Sequence, residues 1–201
     1  MTLYCATSNA GKLREFRLAG QRFGIDVMEM PGLQEIPPCD ETGRTFKANA
    51  ILKATYYGQQ APGLLFADDS GLEVDTLGGA PGVVSARYAG PGASDAQNNA
   101  LLLGNMRGRE NRRARFVCVI ALATRGEMIR TFRGIVEGEI LDEARGAEGF
   151  GYDPLFYYAP YQKSFGEASV EEKMAVSHRG RALTAMFRYL SDSPQRHKAA
   201  K

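Results

Sequence analysis

Residues 64–71 read LLFADDSG, a short apolar run that ends in two carboxylates and a hydroxyl. Gly63 precedes the run and acidic residues follow it, so the pattern predicts a buried strand over 64–67. Asp68, Asp69 and Ser70 would then lie at the C-terminal end of that strand. Adjacent carboxylates repel each other and are costly to desolvate. They become favourable where a divalent cation or a proton transfer offsets the repulsion, although a solvated turn would also explain the pair alone.

Composition restricts the class of protein. The chain has 201 residues, 44% of them hydrophobic, and a net charge of +2, which is too small to indicate a nucleic-acid or membrane partner. The most basic stretch, residues 107–115, has no interleaved aromatic residues and is interpreted as a solvated connection. No apolar run approaches the ~20 residues of a membrane span. The N-terminus does not have the pattern of a signal peptide.

The cysteines point to a reducing compartment. The three cysteines are scattered without metal-ligand spacing, and Cys5 and Cys118 lie in apolar runs where buried thiols are expected. The sequence therefore predicts a cytoplasmic protein. We expect one domain over residues 1–191, built as two lobes, and a polar, frayed tail over 192–201.

Hydrophobic periodicity predicts a mixed α/β sheet. Strands are predicted at 2–6, 25–28, 64–67 and 72–75, and helices at 10–23, 45–60, 94–106 and 179–190. A hairpin is predicted from strands 116–124 and 128–137, with its turn at Arg125-Gly126. In the helix over 94–106, Ser94 is the predicted cap and Leu101, Leu102 and Leu103 are predicted to be buried. Early alternation followed by a long hairpin favours a mixed sheet in two lobes.

A phosphate-binding turn is predicted at residues 7–12, which read TSNAGK between a strand and a helix. Backbone amides at a helix N-terminus bind anions, and small residues let a phosphate approach them. Thr7, Ser8 and Asn9 add side-chain donors and Lys12 adds a positive charge. The motif lacks the spacing of a Walker loop, and a plain capped turn remains the alternative.

Glu41 is a candidate metal ligand that precedes the second predicted helix. It could add a carboxylate for a metal near Asp69. On the helix, Asn49 and Lys53 are four residues apart and would present two donors on one face. The alternative is a solvated acidic helix start.

Two later motifs are candidates for recognition of a base. Residues 149–154 read GFGYDP, in which flanking glycines would expose the Phe150 ring as a stacking platform and Asp153 could accept from a base edge. Residues 171–180 read EEKMAVSHRG, which places His178 and Arg179 at the exposed first turn of the last helix. Two donors there oppose the helix dipole unless an acceptor faces them. The alternatives are an aromatic packing loop and surface decoration.

Taken together, these motifs resemble those of the inosine/xanthosine triphosphate pyrophosphatases, enzymes that remove non-standard purine nucleotides from the nucleotide pool. The resemblance covers about residues 3–190. The segments that carry it are TSNAGK, ETGRTFKANAILKA, ADDSGLEVDTLGGAPGVVSARYAG, GFGYDPLF and EEKMAVSHRGRAL.

The resemblance implies an elongated mixed central sheet flanked by helices, two lobes with the active-site cleft between them, and a homodimer. It implies Mg²⁺-dependent hydrolysis of ITP, dITP and XTP to the monophosphate and pyrophosphate. Asp69 would be the general base, and Glu41 and Asp69 would bind the metal. Substrate would be bound by Thr7, Ser8, Asn9, Ala10, Gly11, Lys12, Lys53, Ser70, Phe150, Gly151, Tyr152, Asp153, Lys173, His178 and Arg179.

Two other functions remain open from the sequence. A nucleotide-binding regulatory module would keep TSNAGK and the base pocket but would not need Glu41, Asp68 and Asp69 together. A pyrophosphatase acting on modified pyrimidines would have a smaller base pocket, with no special need for Phe150 or for His178 and Arg179.

Overall fold

A seven-stranded mixed sheet organises the protein, for which a computed structural model describes residues 1–192. The strands are β1 Thr2–Cys5, β2 Asp26–Glu29, β3 Leu65–Val74, β4 Arg113–Thr124, β5 Glu127–Ile140, β6 Phe156–Tyr158 and β7 Lys163–Ser164. The helices are α1 Ala10–Gln21, α2 Phe46–Gly58, α3 Asp95–Asn105, α4 Val170–Val176 and α5 His178–Asp192. The strand order is β2-β1-β3-β4-β5-β6-β7, with β1 parallel to β2 and β3, and β6 antiparallel to β5 and β7. The predicted α/β class and mixed sheet are confirmed.

The chain divides into two compact units. Of the described residues, the first unit contains 1–69, 118–134 and 179–192, and the second contains 70–117 and 135–178. In the first unit the core is built from aromatic contacts such as Phe16 against Phe66, with ring centroids 4.9 Å apart. In the second unit Phe116, Phe156 and Phe165 form the centre of the core.

Local capping signals fix the helix starts close to the predicted positions. Asn9 accepts from the backbone N–H of Lys12 and starts α1, and Thr45 caps α2 in the same way. Ser94 and Gln97 form a reciprocal capping box at α3, as the predicted role of Ser94 requires. The prediction of three buried leucines on α3 is wrong, because three consecutive helical residues cannot share one face. Leu102 is buried, whereas Leu101 is exposed and Leu103 is half-buried.

Strand β3 departs from the prediction where the function is concentrated. A single strand runs from Leu65 to Val74, so Asp68 and Asp69 lie in its middle and not at its end. In the sequence the acidic pair resembles the end of a strand. In the structure, partners from distant segments compensate its charges. The hairpin prediction is confirmed: β4 and β5 turn at Arg125 (φ 52°) and Gly126 (φ 80°), the pair of positive φ angles of a type I′ turn.

Cys5 and Cys118 are buried free thiols, as predicted. Burial is the main cause that raises the pKa of Cys5 to about 12. Within residues 1–192, no helix combines the length and apolar character needed to cross a membrane. The predicted frayed tail lies outside the described residues from position 193 onward.

Candidate active site

Asp68 and Asp69 anchor the candidate site from the middle of β3. Successive side chains of a strand point to opposite faces of the sheet, so the two carboxylates meet different partners. Both are buried, with 4% and 6% of their surface exposed. Ser70, which follows them, is half-buried and belongs to the second unit.

Asp68 is held between two cations. Its Oδ1 lies 3.0 Å from Lys12 Nζ, and its Oδ2 lies 3.6 Å from Arg179 Nε. Burial alone would raise the pKa of this carboxyl, but attraction to Lys12, Arg179 and Lys53 outweighs it and lowers the pKa to about 2. Asp68 is therefore charged at neutral pH and holds Lys12, the last residue of the TSNAGK turn.

Glu15 completes this charge cluster, and sequence reasoning missed it. It is buried on α1, and its Oε2 lies 2.5 Å from Arg179 Nη1. Burial opposes the charged form of Arg179, but Glu15 and Asp68 outweigh that effect and raise its pKa. The available signal was a carboxylate beside Phe16 on the apolar face of α1, which requires a buried cation as its partner.

Asp69 has a different environment. Its Oδ1 lies 2.9 Å from Lys53 Nζ, and its Oδ2 accepts from Asn49 Nδ2 at 3.3 Å. Burial is the largest effect and raises the pKa of Asp69, Lys53 lowers it, and Glu41 raises it again. A carboxylate with a raised pKa, bonded to donors but able to gain a proton, has the properties of a general base.

Glu41 lies beside Asp69 through a shared cation. Its Oε2 lies 3.3 Å from Lys53 Nζ, the same ammonium that binds Asp69. The structure thus brings together the predicted carboxylates Glu41 and Asp69 and the predicted lysine Lys53.

A cavity of about 380 Å³ lies in the first unit beside these groups. Its polar walls include Thr7, Ser8, Asn9, Lys12, Glu41, Lys53 and Asp68. Asn9 accepts from Lys12 N at 2.9 Å, and Thr7 Oγ1 accepts from Asn9 N at 3.2 Å, so the turn has a fixed shape. Ala10 and Gly11 form the start of α1, where amide donors and the helix dipole favour an anion. The cavity has room for a phosphate chain and amide donors beside it, while its two lysines are each paired with a carboxylate.

A metal ion would need ligands from outside the protein at this site. In the part of the chain that the structure describes, no three His, Cys, Asp or Glu side chains are grouped closely enough to hold a metal by themselves. Mg²⁺ typically takes one or two carboxylates together with substrate phosphates and water. Glu41 and Asp69 already face one cation, Lys53, and supply hard oxygen donors, so this pair fits that pattern.

The GFGYD turn forms a second cluster, in the second unit. The half-buried ring of Phe150 lies 4.8 Å from the Lys173 ammonium, which is also 2.6 Å from Asp153 Oδ2. The same Asp153 oxygen accepts from Phe150 N at 2.8 Å. The expectation that Asp153 offers its carboxylate to a base edge is therefore corrected: the buried carboxylate shapes the turn and holds Lys173.

Helix α3 holds this turn from the other side, which the sequence did not indicate. Asp95 Oδ2 accepts from Gly151 N at 2.6 Å, and Asn99 Nδ2 donates to Gly151 O at 3.0 Å. Tyr152 is buried and donates from its hydroxyl to Ser85 O at 2.8 Å. Phe150 is thus presented from a turn fixed on both flanks.

The predicted exposure of His178 and Arg179 is wrong. Each is only 3% exposed. The His178 ring stacks on Phe116 in the second unit, with centroids 4.7 Å apart and planes 13° apart. The Arg179 guanidinium belongs to the Glu15–Asp68 cluster of the first unit. The helix-dipole argument required an acceptor in front of these donors, and for Arg179 the buried carboxylates of Glu15 and Asp68 are those acceptors.

Comparison with known proteins identifies the family to which the chain belongs. The family model described as Ham1 family matches residues 3–189. The chain belongs to the Ham1 family. A relative from Acidobacterium capsulatum, named dITP/XTP pyrophosphatase, is 48% identical over 93% of this chain and 97% of its own length. A relative of the same name from Desulfotalea psychrophila is 49% identical over 89% of this chain and 80% of its own length.

Solved structures of Ham1 proteins share the fold. The Staphylococcus aureus Ham1 protein is similar with a TM-score of 0.84 and 38% identity, covering 95% of this chain and 98% of its own. A HAM1 protein from Coxiella burnetii is similar with a TM-score of 0.86 and 37% identity, covering 96% of this chain and all of its own. The predicted family and the predicted mixed sheet flanked by helices are confirmed.

Proposed function

We propose that the protein hydrolyses the non-standard purine nucleoside triphosphates ITP, dITP and XTP to the monophosphate and pyrophosphate. The observation that carries the proposal is the convergence of Glu41, Asp69 and Lys53 beside the TSNAGK turn, where a phosphate chain, a metal and a general base are all provided for. A regulatory module that only binds nucleotides has no need of a buried carboxylate with a raised pKa. The names of the Ham1 relatives, dITP/XTP pyrophosphatase, support the same activity.

In this proposal the triphosphate is bound by the first-unit cluster, which consists of Thr7–Lys12, Glu41, Lys53 and Asp69. The amides and side chains of Thr7–Lys12 hold phosphate oxygens, and Lys53 adds a positive charge. Glu41 and Asp69 would hold Mg²⁺, which supplies charge neutralisation on the phosphates when bound. Water cleaves the bond between the α- and β-phosphates. One proton of the water passes to Asp69, and pyrophosphate leaves.

The second-unit cluster binds the base in this proposal. Phe150 offers a ring face for stacking, and Gly151, Tyr152 and Asp153 keep it in place. Lys173 and His178 are donors suited to the 6-oxo group of hypoxanthine and xanthine. Adenine carries a 6-amino donor in that position, so two donors would face each other. A buried donor without an acceptor costs roughly 1–3 kcal/mol of binding free energy. Ser70 follows Asp69 and would lie beside the substrate.

The test is pyrophosphate release from ITP, dITP, XTP, ATP, GTP, dTTP and dUTP, each with and without Mg²⁺. We expect the first three to exceed ATP by about tenfold or more in kcat/KM. We also expect loss of activity on chelation and a rise above neutral pH, where a metal-bound water is more readily deprotonated. Nucleotide binding without pyrophosphate release would favour the regulatory module, and preference for dTTP or dUTP would favour a pyrimidine pyrophosphatase.

Two further parts of the proposal concern assembly and location. The homodimer implied by the family resemblance is tested by light scattering of the purified protein. A cytoplasmic location agrees with the buried free thiols Cys5 and Cys118.

A further inference from the structure

We infer that Asn49 is a positioning residue that sets the Glu41 segment and the Asp69 carboxylate relative to each other. The inference rests on the proposed function, in which those two carboxylates serve the metal. Asn49 is completely buried on α2, and both ends of its amide are engaged. Its Oδ1 accepts from Gly43 N at 2.8 Å, and its Nδ2 donates to Asp69 Oδ2 at 3.3 Å.

The contact to the Glu41 segment depends on a glycine. A Cβ at position 43 would lie 2.5 Å from Asn49 Oδ1 and 2.7 Å from Ala48 Cβ, so only glycine lets the segment approach α2 this closely. The backbone N–H of Thr42 donates to Asp40 O at 3.0 Å, which makes a tight turn around Glu41. Glu41 is therefore two residues away from a backbone atom that Asn49 fixes.

The contact to Asp69 fixes the plane of the carboxylate. Lys53, one helical turn after Asn49, binds Oδ1, while Asn49 binds Oδ2, so each oxygen has its own donor. Lys53 also contacts Glu41 and neutralises charge on both carboxylates. Asn49 is neutral, so its only effect on the Asp69 carboxylate is to orient it. One buried amide thus connects the two groups proposed to hold the metal. In metal sites, residues that hydrogen-bond to the ligands orient them in this way.

Two variants separate the two contacts. Asn49→Asp keeps an oxygen that accepts from Gly43 N but replaces the donor to Asp69 with a second carboxylate. We expect kcat for ITP to fall by about tenfold or more while KM stays near the wild-type value, because the Asp69 carboxylate loses the donor that orients it. Gly43→Ala displaces the Glu41 segment and leaves the donor to Asp69. We expect it to weaken Mn²⁺ binding, measured by electron paramagnetic resonance without substrate, by about tenfold or more.

Asn98→Asp is the matched control. Asn98 is also a buried asparagine, whose Oδ1 accepts from Ala89 N at 2.8 Å and whose Nδ2 donates to Ala86 O at 3.2 Å. We expect it to lower Tm but to leave kcat for ITP and Mn²⁺ affinity near their wild-type values. If Asn49→Asp does not fold, Asn49→Ser, whose shorter side chain cannot reach both partners, is measured in its place and should weaken Mn²⁺ binding.

The outcomes distinguish this inference from the proposed function. Wild-type protein that releases no pyrophosphate overturns the proposed function, and the inference with it. An active wild type whose Asn49→Asp variant keeps wild-type kcat and whose Gly43→Ala variant keeps wild-type Mn²⁺ affinity overturns the inference alone. Equal changes in the Asn49 and Asn98 variants also overturn it, since they would reflect general loss of stability.

Discussion

Asp68 and Asp69 are adjacent in β3 but bind different lysines: Asp68 Oδ1 lies 3.0 Å from Lys12 Nζ, and Asp69 Oδ1 lies 2.9 Å from Lys53 Nζ. The strand alternation separates them, and their pKa values move in opposite directions. Asp68 stays charged at neutral pH, while burial makes Asp69 easier to protonate than an ordinary aspartate. The same substitution at the two positions should therefore have opposite effects on stability and activity.

Asp69→Asn should remove activity without lowering stability. The variant keeps the shape but cannot take a proton, and loss of a general base costs about 10²–10⁴-fold in kcat. Because the pKa of Asp69 is raised in the folded state, a neutral side chain there removes the cost of a buried charge, and Lys53 keeps Glu41 as its partner. Measurement of kcat on ITP and of Tm at pH 7 checks both parts. Near-wild-type kcat would transfer the role to Glu41 or Asp68.

Asp68→Asn should mainly lower stability. Removing one partner of a buried ion pair typically costs ~3–5 kcal/mol, because Lys12 and Arg179 lose a compensating charge. The pKa of Asp68 is lowered to about 2, so its stabilisation is complete above the ordinary value near 4 and is lost as pH falls from about 4 to 2. Urea unfolding at pH 7 and across that acid range should show a less stable variant with a weaker acid dependence. An unchanged free energy of unfolding at pH 7 would contradict the ion-pair account.

We expect Arg179 to have a structural role and His178 to recognise the base. Arg179→Met leaves Glu15 and Asp68 buried without their shared cation, so we expect a lower Tm and equal losses of kcat/KM on ITP and ATP. His178→Phe keeps a ring against Phe116 but removes both nitrogens, so the ITP-to-ATP ratio should narrow by about tenfold. A narrowed ratio in Arg179→Met at unchanged Tm would show instead that its guanidinium recognises the base.

Gly71→Ala should destabilise the second unit. A Cβ there would meet Ser85 Oγ and would lie 2.6 Å from Gly82 O, and Ser85 accepts from Leu72 N at 2.9 Å. Overpacking of this kind typically costs ~1–3 kcal/mol. Gly104→Ala is the control, because that position on α3 is exposed and has nothing within 4 Å of a new Cβ. Thermal melting should show a lower Tm for Gly71→Ala and an equal or higher Tm for Gly104→Ala.

The sequence predicted the elements whose signals are local. Capping residues such as Asn9 and Ser94 and the Arg125-Gly126 turn fixed boundaries to within a few residues, because these signals act over three or four positions. The family motifs indicated the lysines and carboxylates of the first-unit cluster. Their convergence on Lys53 agrees with that prediction, although their catalytic roles stay predictions.

The failures concern buried charges with distant partners. Glu15 and Arg179 are 164 positions apart, so neither segment shows locally that the other will compensate its charge. The same limitation made Asp68 and Asp69 resemble the end of a strand and made His178 and Arg179 resemble surface residues. Burial of a charged side chain is decided by the tertiary structure, and helix or strand periodicity does not report it.

Competition between ITP and ATP in one reaction tests the central claim most directly. Equal concentrations of both nucleotides are incubated with the protein and Mg²⁺, and the products are separated by ion-exchange chromatography. The account predicts equal amounts of IMP and pyrophosphate while ATP remains. Formation of IDP and phosphate, or consumption of ATP at the same rate as ITP, would contradict it.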